Sequence, residues 1–317
     1  MKVLFVEKTH PDVLEIVKSC VPEGFELITV ETTTEEERLL KVPDADFILV
    51  GPTPITAKLL EKAKNVKLVQ KTGVGVDKID LKAAAEMGIP VANTGGTNAI
   101  AVAEHTILLI LAVYKKLPIA HQSLVEGRWA KWDYRCESYE IHGKIAGIVG
   151  MGNIGREVTK RLHGFGANII YYDMYKLPPE KEVELGIQYV SLDELLKTSD
   201  IISLHVTLTE QTYHLIGKRE LNLMKKSAIL INTARGALVD EVALYEALKE
   251  RRITAAGLDV FSKEPPDPKD PIFSLDNVVV TPHIGGGTRE TIERVYQFSF
   301  MNMLRVLQGQ EPLNKVN

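Results

Sequence analysis

Arg235, Glu264 and His283 are the residues of this chain whose types and placing suit proton transfer beside a carboxylate. Each follows a short apolar run that reads as a buried strand. Arg235 lies just beyond 228–231, in Asn232-Thr-Ala-Arg-Gly236. Glu264 follows 255–258 and the Asp259 that closes it, and His283 follows 278–281. His205 closes a fourth run at 201–204. Strand ends that aim polar groups at one rim read as function, because apolar residues would serve packing better. Arginine has a planar fork that grips a carboxylate and polarises an adjacent ketone. Histidine can give a proton to a ketone oxygen and take one from a hydroxyl, and a glutamate on its other nitrogen steadies its charged form. With a hydride arriving at the carbon, this set would interconvert a 2-keto acid and a 2-hydroxy acid. Asp259 could then hydrogen-bond a nicotinamide carboxamide.

The hydride source is read from 145–173. An apolar run at 145–149 precedes Gly150, Gly152 and Gly155 at G-x-G-x-x-G spacing. Ile154, Val158, Leu162 and Phe165 recur at helical intervals, Gly166 can stop that helix, and a second strand at 169–172 runs into Asp173. Gly150 suits a tight turn, Gly152 removes a side chain where a pyrophosphate must approach, and Gly155 lets helix and strand pack closely. The helix start offers N–H groups and a positive dipole end to the phosphates. Asp173 would accept from both ribose hydroxyls and repel a 2′-phosphate, so the expected cofactor is NAD.

The elements that must position these groups alternate strand and helix throughout. Strand patterns at 3–6, 25–30, 47–50, 66–69 and 89–92 lead, with helices between them such as 57–63 and 81–87. A long apolar helix from Ala101 to Leu117 opens a second wound unit, followed by a polar, irregular stretch at 118–142 with Trp129 and Trp132. Ser191 to Glu194 reads as a capping box, and 242–250 as a helix. The helical stretch 288–308 has no strand after it and is expected to return to the first unit. The expected fold is therefore α/β, with two doubly wound parallel-sheet domains: 1–99 with 288–317, discontinuous, for substrate, and 100–287 for nucleotide. A ligand site is expected in the cleft between two such units.

Beside these motifs the chain resembles the D-isomer-specific 2-hydroxyacid dehydrogenase family along nearly its whole length. The resemblance is carried by Val102-Ala-Glu-His105, the glycine loop through Asp173, Asn232-Thr-Ala-Arg-Gly-Ala-Leu-Val-Asp240, Gly257-Leu-Asp-Val-Phe261 with Glu264-Pro-Pro, and Pro282-His-Ile-Gly285. It implies a Rossmann nucleotide-binding domain inserted in a flavodoxin-like substrate domain. It implies Arg235, Glu264 and His283 as the catalytic set, and D stereochemistry in the product. It implies cofactor contacts from Asn153 and Ile154 at the pyrophosphate, Asp173 at the ribose, and Thr233 and Asp259 near the nicotinamide. Val102, His205, Val206 and Gly285 join that cofactor set. Substrate contacts would come from Arg235, His283 and the backbone of Val74 and Gly75. The family implies a homodimer built through the nucleotide domain, which would account for 118–142. Thr207 departs from the proline common two residues after the family's histidine.

Other classes fit less well. A net charge of −4 gives no electrostatic case for nucleic acid or a membrane surface. Cys20 and Cys136 lie far apart in sequence, so no disulfide or zinc framework is expected and a reducing, cytoplasmic setting fits. No H-E-x-x-H exists for a metal hydrolase, and no metal is expected. Glu264 argues against formate dehydrogenases, which carry glutamine there. The segment after Val50 lacks a basic residue, but Lys71 could supply one charge, so a phosphorylated, phosphoglycerate-like substrate is the alternative to glyoxylate or hydroxypyruvate. An NAD-binding regulator or corepressor on the same scaffold is the remaining reading, and no effector domain is expected after the last helix.

Overall fold

Short, largely apolar segments make the first sheet, with Phe47–Val50 apolar throughout. In the computed structural model, which describes residues 1–317, β1 (Lys2–Phe5), β2 (Glu26–Thr29), β3 (Phe47–Val50), β4 (Leu68–Lys71) and β5 (Val91–Ala92) pair in the order β2-β1-β3-β4-β5, all parallel. Helices α1 (Pro11–Ser19), α2 (Glu35–Lys41), α3 (Ala57–Lys62) and α4 (Leu81–Glu86) connect them. Every residue of β3 is buried, as a strand covered on both faces requires. Alternation sorts the side chains. Leu4, Ile48 and Val50 face Leu39, Leu59, Leu60 and Ala84, whereas Val3, Phe5, Phe47 and Leu49 face Val17 on the other side. The strand expected at 66–69 begins two residues later, because Val66 N closes a turn onto Ala63 O before Lys67 N joins Asp46 O. Lys71 is thus the last strand residue.

The second sheet follows α5 (Ala99–Tyr114) and α6 (Leu117–Val125). Its elements are β6 (Ile145–Val149), α7 (Asn153–Gly164), β7 (Asn168–Tyr172), α8 (Pro179–Leu185), β8 (Ile187–Tyr189), α9 (Leu192–Thr198), β9 (Ile201–Leu204), α10 (Lys218–Leu223), β10 (Ile229–Asn232), α11 (Glu241–Lys249), β11 (Ala255–Leu258) and β12 (Val278–Val280). The order β12-β11-β10-β9-β6-β7-β8 is parallel throughout, with the winding direction reversing between β6 and β9. Such a reversal opens a ligand crevice at the carboxyl ends of the strands. α5 and α7 bury Leu109, Ile110, Val158 and Leu162 on one face of this sheet; α9, α10 and α11 bury Leu195, Leu221 and Leu244 on the other. The starts of α9 and α11 are capped by side chains: Ser191 Oγ accepts from Glu194 N at 3.2 Å, and Asp240 Oδ1 from Val242 N and Ala243 N at 3.1 Å.

One expectation needs correction. The long helix expected at 101–117 ends at Tyr114, and residues 118–125, expected to be irregular, belong with Leu117 to a separate helix. Lys116 turns left-handed at φ 51°, and Pro118 then sits in the first turn of α6, where its missing N–H costs nothing. The last helix, α12 (Arg289–Leu307), buries Tyr296, Phe300 and Met303 with Val3 and Phe5, and Asn302 Nδ2 donates to Gln70 Oε1 at 2.9 Å. The chain therefore forms two units, 1–98 with 287–317 and 99–286.

Candidate active site

The glycine loop joins β6 to α7. Gly150 has φ 100°, and a Cβ there would lie 2.7 Å from the backbone of His205, so only glycine fits. A Cβ at Gly155 would reach Gly150 O at 2.1 Å, which fixes how closely α7 meets the loop. Gly152, by contrast, faces open space. It is the N-cap of α7 and offers no side chain to the first-turn N–H groups of Asn153, Ile154 and Gly155. Asp173, at the end of β7, accepts from Met151 N at 2.7 Å and Tyr175 N at 3.2 Å. Its carboxylate ties the glycine loop to the neighbouring strand.

His205 and Val206 lie against Gly150. His205 Nε2 hydrogen-bonds Ser203 Oγ at 2.8 Å, while Nδ1 is buried without a partner. Burial pushes its pKa down to about 3, so the ring is neutral. An uncapped helix start, an open face at Gly152, a strand-end carboxylate and an orphaned ring nitrogen together fit a dinucleotide. Asn153 and Ile154 would hold its phosphates and Asp173 its ribose.

Arg235 follows β10. Asn232, almost fully buried, clasps the loop that carries it: Asn232 Oδ1 accepts from Ala234 N at 3.1 Å and Nδ2 donates to Arg235 O at 2.8 Å. Arg235 Nη1 donates to Ala234 O at 2.7 Å. Thr233 Oγ1 meets Thr106 Oγ1 at 3.0 Å, and Thr106 in turn donates to Val102 O at 2.8 Å. Val102 and Thr233 are both buried on this side of α5.

His283 and Glu264 come together across 19 residues, with Nδ1 at 3.0 and 2.9 Å from the two carboxylate oxygens. The side chains are 47% and 27% exposed, so the pair stays reachable. Glu264 Oε1 also accepts from Phe261 N at 3.2 Å, which fixes its direction. Since Nδ1 faces the carboxylate, Nε2 is the nitrogen left for a reacting atom.

Asp259 is 1% exposed and points inward. Oδ1 accepts from Thr281 Oγ1 at 2.6 Å and Ile284 N at 2.9 Å, and Oδ2 from Gly285 N at 2.8 Å. Burial pushes its pKa up, but hydrogen bonds from His105, Thr281, Ile284 and Gly285 outweigh it and hold the carboxyl below its usual range. Asp259 thus clamps the loop carrying His283. In the other unit, the loop holding Val74 and Gly75 is pinned through its carbonyls, by Asn93 Nδ2 on Val74 O at 2.8 Å and Thr94 N on Gly73 O at 3.4 Å.

Sequence reasoning missed the supports. Asn232, Thr281 and His105 received no role. An asparagine at a strand end can form a side-chain turn with the backbone two residues on, but nothing local points from His105 to Thr281, 176 residues away.

Comparison with known proteins places the chain among its relatives. Residues 107–285 match the family model for the D-isomer specific 2-hydroxyacid dehydrogenase, NAD binding domain. A D-3-phosphoglycerate dehydrogenase of Methanocaldococcus jannaschii is 43% identical over 100% of this chain, which spans 59% of that relative's length. A glyoxylate reductase of Thermococcus litoralis is 44% identical, covering 88% of this chain and 86% of the relative. Among solved structures, the TT0316 protein from Thermus thermophilus superposes with a TM-score of 0.89 at 37% identity, covering 100% of both chains. The chain belongs to the D-isomer specific 2-hydroxyacid dehydrogenase family.

Proposed function

We propose that this protein is an NAD-dependent oxidoreductase that interconverts a small 2-keto acid and its D-2-hydroxy acid. The observation that carries the reading is the Glu264–His283 pair at 2.9 Å, in the unit that bears the glycine loop. Bound NADH supplies the hydride. Arg235 grips the substrate carboxylate and polarises the ketone beside it. His283 Nε2 gives a proton to the ketone oxygen, and Glu264 on Nδ1 stabilises the imidazolium before transfer and fixes the tautomer after it. In the reverse direction neutral His283 takes the hydroxyl proton at the same nitrogen. The backbone N–H groups of Val74 and Gly75 are assigned to the substrate carboxylate, and Thr233, Val102, His205, Val206, Asp259 and Gly285 to the cofactor's surroundings.

The favoured substrates are glyoxylate and hydroxypyruvate. Gly51 N and Thr53 N, the natural anion donors after β3, already donate to Glu7 at 2.7 and 3.0 Å. Lys71 favours the second reading, a phosphorylated keto acid: its Nζ lies 2.6 Å from Gly51 O and within 3.6 Å of where a Cβ on Gly73 would stand. Loss of NADH absorbance against glyoxylate, hydroxypyruvate, pyruvate and 3-phosphohydroxypyruvate tests both. Rapid use of the phosphorylated acid alone would promote the second reading. No turnover with any of them, while NADH binds, would promote the regulator reading instead. Arg235→Ala should lower kcat/KM by about 10³-fold for every carboxylate substrate; retained activity would move the clamp elsewhere.

A homodimer through the nucleotide unit is part of the proposal. α5 exposes Ile100 and Leu108, α6 exposes Leu117, Leu124 and Val125, and Trp129 and Trp132 stand 75% and 66% exposed. Sedimentation would check it. No helix is long and apolar enough to cross a membrane, and the free Cys20 and Cys136 support a reducing, cytoplasmic location.

A further inference from the structure

His105 lies in the first half of α5, with its side chain 9% exposed. Its Nε2 is 2.9 Å from Thr281 Oγ1 and 3.3 Å from Asp259 Oδ1. Thr281 Oγ1 is itself 2.6 Å from Asp259 Oδ1. An ionised carboxylate only accepts, so the threonine hydroxyl gives its one proton to Asp259. Only lone pairs then remain on Thr281 Oγ1 for His105, and His105 Nε2 must carry a hydrogen. The tautomer of this histidine is therefore set by the geometry.

What that hydrogen braces is the loop of His283. The Asp259 carboxylate takes Ile284 N and Gly285 N, and its backbone carbonyl takes His283 N at 2.7 Å. The residues on both sides of His283 thus hang from one aspartate. Slack is absent: a Cβ on Gly285 would stand 2.8 Å from Asp259 Oδ2 and 3.4 Å from His105 Cδ2. His283 has φ 53°, a left-handed conformation that a side-chain-bearing residue keeps only where its surroundings enforce it.

We propose that His105 is a positioning residue: its Nε2–H braces Thr281 and Asp259, and through them holds His283 in the left-handed turn from which its ring meets Glu264. This rests on the catalytic reading of His283. Both sides of the contact lie within one structural unit.

Three variants separate it from general packing. His105→Gln keeps an N–H donor at similar reach, His105→Phe keeps ring volume without a donor, and Thr281→Val removes the hydroxyl. In cofactor-free protein labelled with 15N-histidine, one Nε2–H imidazole should vanish in both His105 variants. The His283 signals should shift in His105→Phe and Thr281→Val but not in His105→Gln. In turnover, His105→Phe and Thr281→Val should each lower kcat about tenfold, with KM and NADH affinity within about twofold of wild type. His105→Gln should recover kcat, and the Phe/Val double variant should be no worse than the poorer single one. Unchanged kcat in His105→Phe, equal losses in Phe and Gln, or multiplying losses in the double variant would each overturn the proposal. Should His105→Phe fail to fold, a Thr281→Val enzyme with wild-type kcat would overturn it equally. Failure of the wild-type protein to turn over any keto acid sinks the catalytic reading alone; the His283 shifts then decide the brace, and their absence overturns it.

Discussion

Glu7 and Asp259 are the same device in two places. Each is an acid just past a strand, β1 and β11, that reaches to the loop after the neighbouring strand and ties down its donors. Glu7 takes Gly51 N, Thr53 N and Thr53 Oγ1; Asp259 takes Ile284 N, Gly285 N and Thr281 Oγ1. The surroundings differ. Glu7 is half-buried, whereas Asp259 is 1% exposed and approached by the His105 ring. The cargo differs more: the loop held by Glu7 carries Pro52 and Thr53, and the loop held by Asp259 carries His283. A carboxylate clamp at a strand end is therefore a general means of shaping these loops. Only the second loop bears a side chain able to carry a proton, and it is the loop to which the proposed chemistry is assigned.

Neutralising the two clamps should break them unequally. In Glu7→Gln the amide can turn its oxygen to the backbone donors and its NH2 to Thr53, whose hydroxyl can rotate to accept. The expected cost is about 1 kcal/mol, read from the urea midpoint. In Asp259→Asn the amide has no such solution. Either orientation sets its NH2 against a buried N–H, of Gly285 on one side or of Ile284 and His105 on the other. Asp259→Asn should therefore cost about 3 kcal/mol or more and lower kcat as well. Equal costs would show that the two clamps are equivalent and that burial around Asp259 adds nothing.

The next prediction separates cargo from clamp. His283→Asn keeps a residue that tolerates the left-handed turn and leaves every Asp259 bond in place. Its urea midpoint should match wild type, NADH should still bind, and kcat should fall about 10²-fold or more. A near wild-type rate would remove His283 from the proton path.

These contrasts also show why part of the molecule was legible in sequence. Both sheets follow from apolar runs with alternating faces, such as Phe47 to Val50, because burial of a parallel strand writes itself locally. The glycine loop is equally local: Gly150, Gly155 and Asp173 act within one βαβ turn. The short strand β8 was missed, since three residues carry no readable period. α6 was missed because its faces are mixed: Pro118, His121 and Gln122 interrupt any apolar stripe. The clamps and the His105 brace were invisible for another reason. They are side-chain hydrogen bonds between residues 22 to 176 positions apart, and such pairs leave no pattern in a single sequence.

Asp173 gives an intermediate case, a clamp that is also the proposed partner of the cofactor ribose. Asp173→Ser removes like-charge repulsion toward a 2′-phosphate and also releases Met151 N. The preference for NADH over NADPH should shrink about tenfold, mostly through weaker NADH binding. A wild-type preference for NADPH would mean that Asp173 serves only the loop.

The strand end at His205 has no carboxylate at all, and there burial alone acts. Its folded pKa is pushed down to about 3, against about 6.5 for an exposed imidazole. Between those values the unfolded chain binds a proton that the folded chain refuses, so stability rises with pH. On acidification from neutral pH this one group removes up to about 1.4 kcal/mol per pH unit. His205→Gln keeps a partner for Ser203 Oγ and abolishes the titration. Its stability relative to wild type should therefore climb steadily as urea melts are taken from about pH 7 to about pH 5. Subtracting the two curves cancels the carboxylates, whose contributions are common to both proteins. A difference independent of pH would mean that His205 protonates as readily folded as unfolded, and that the ring beside Gly150 is open to water.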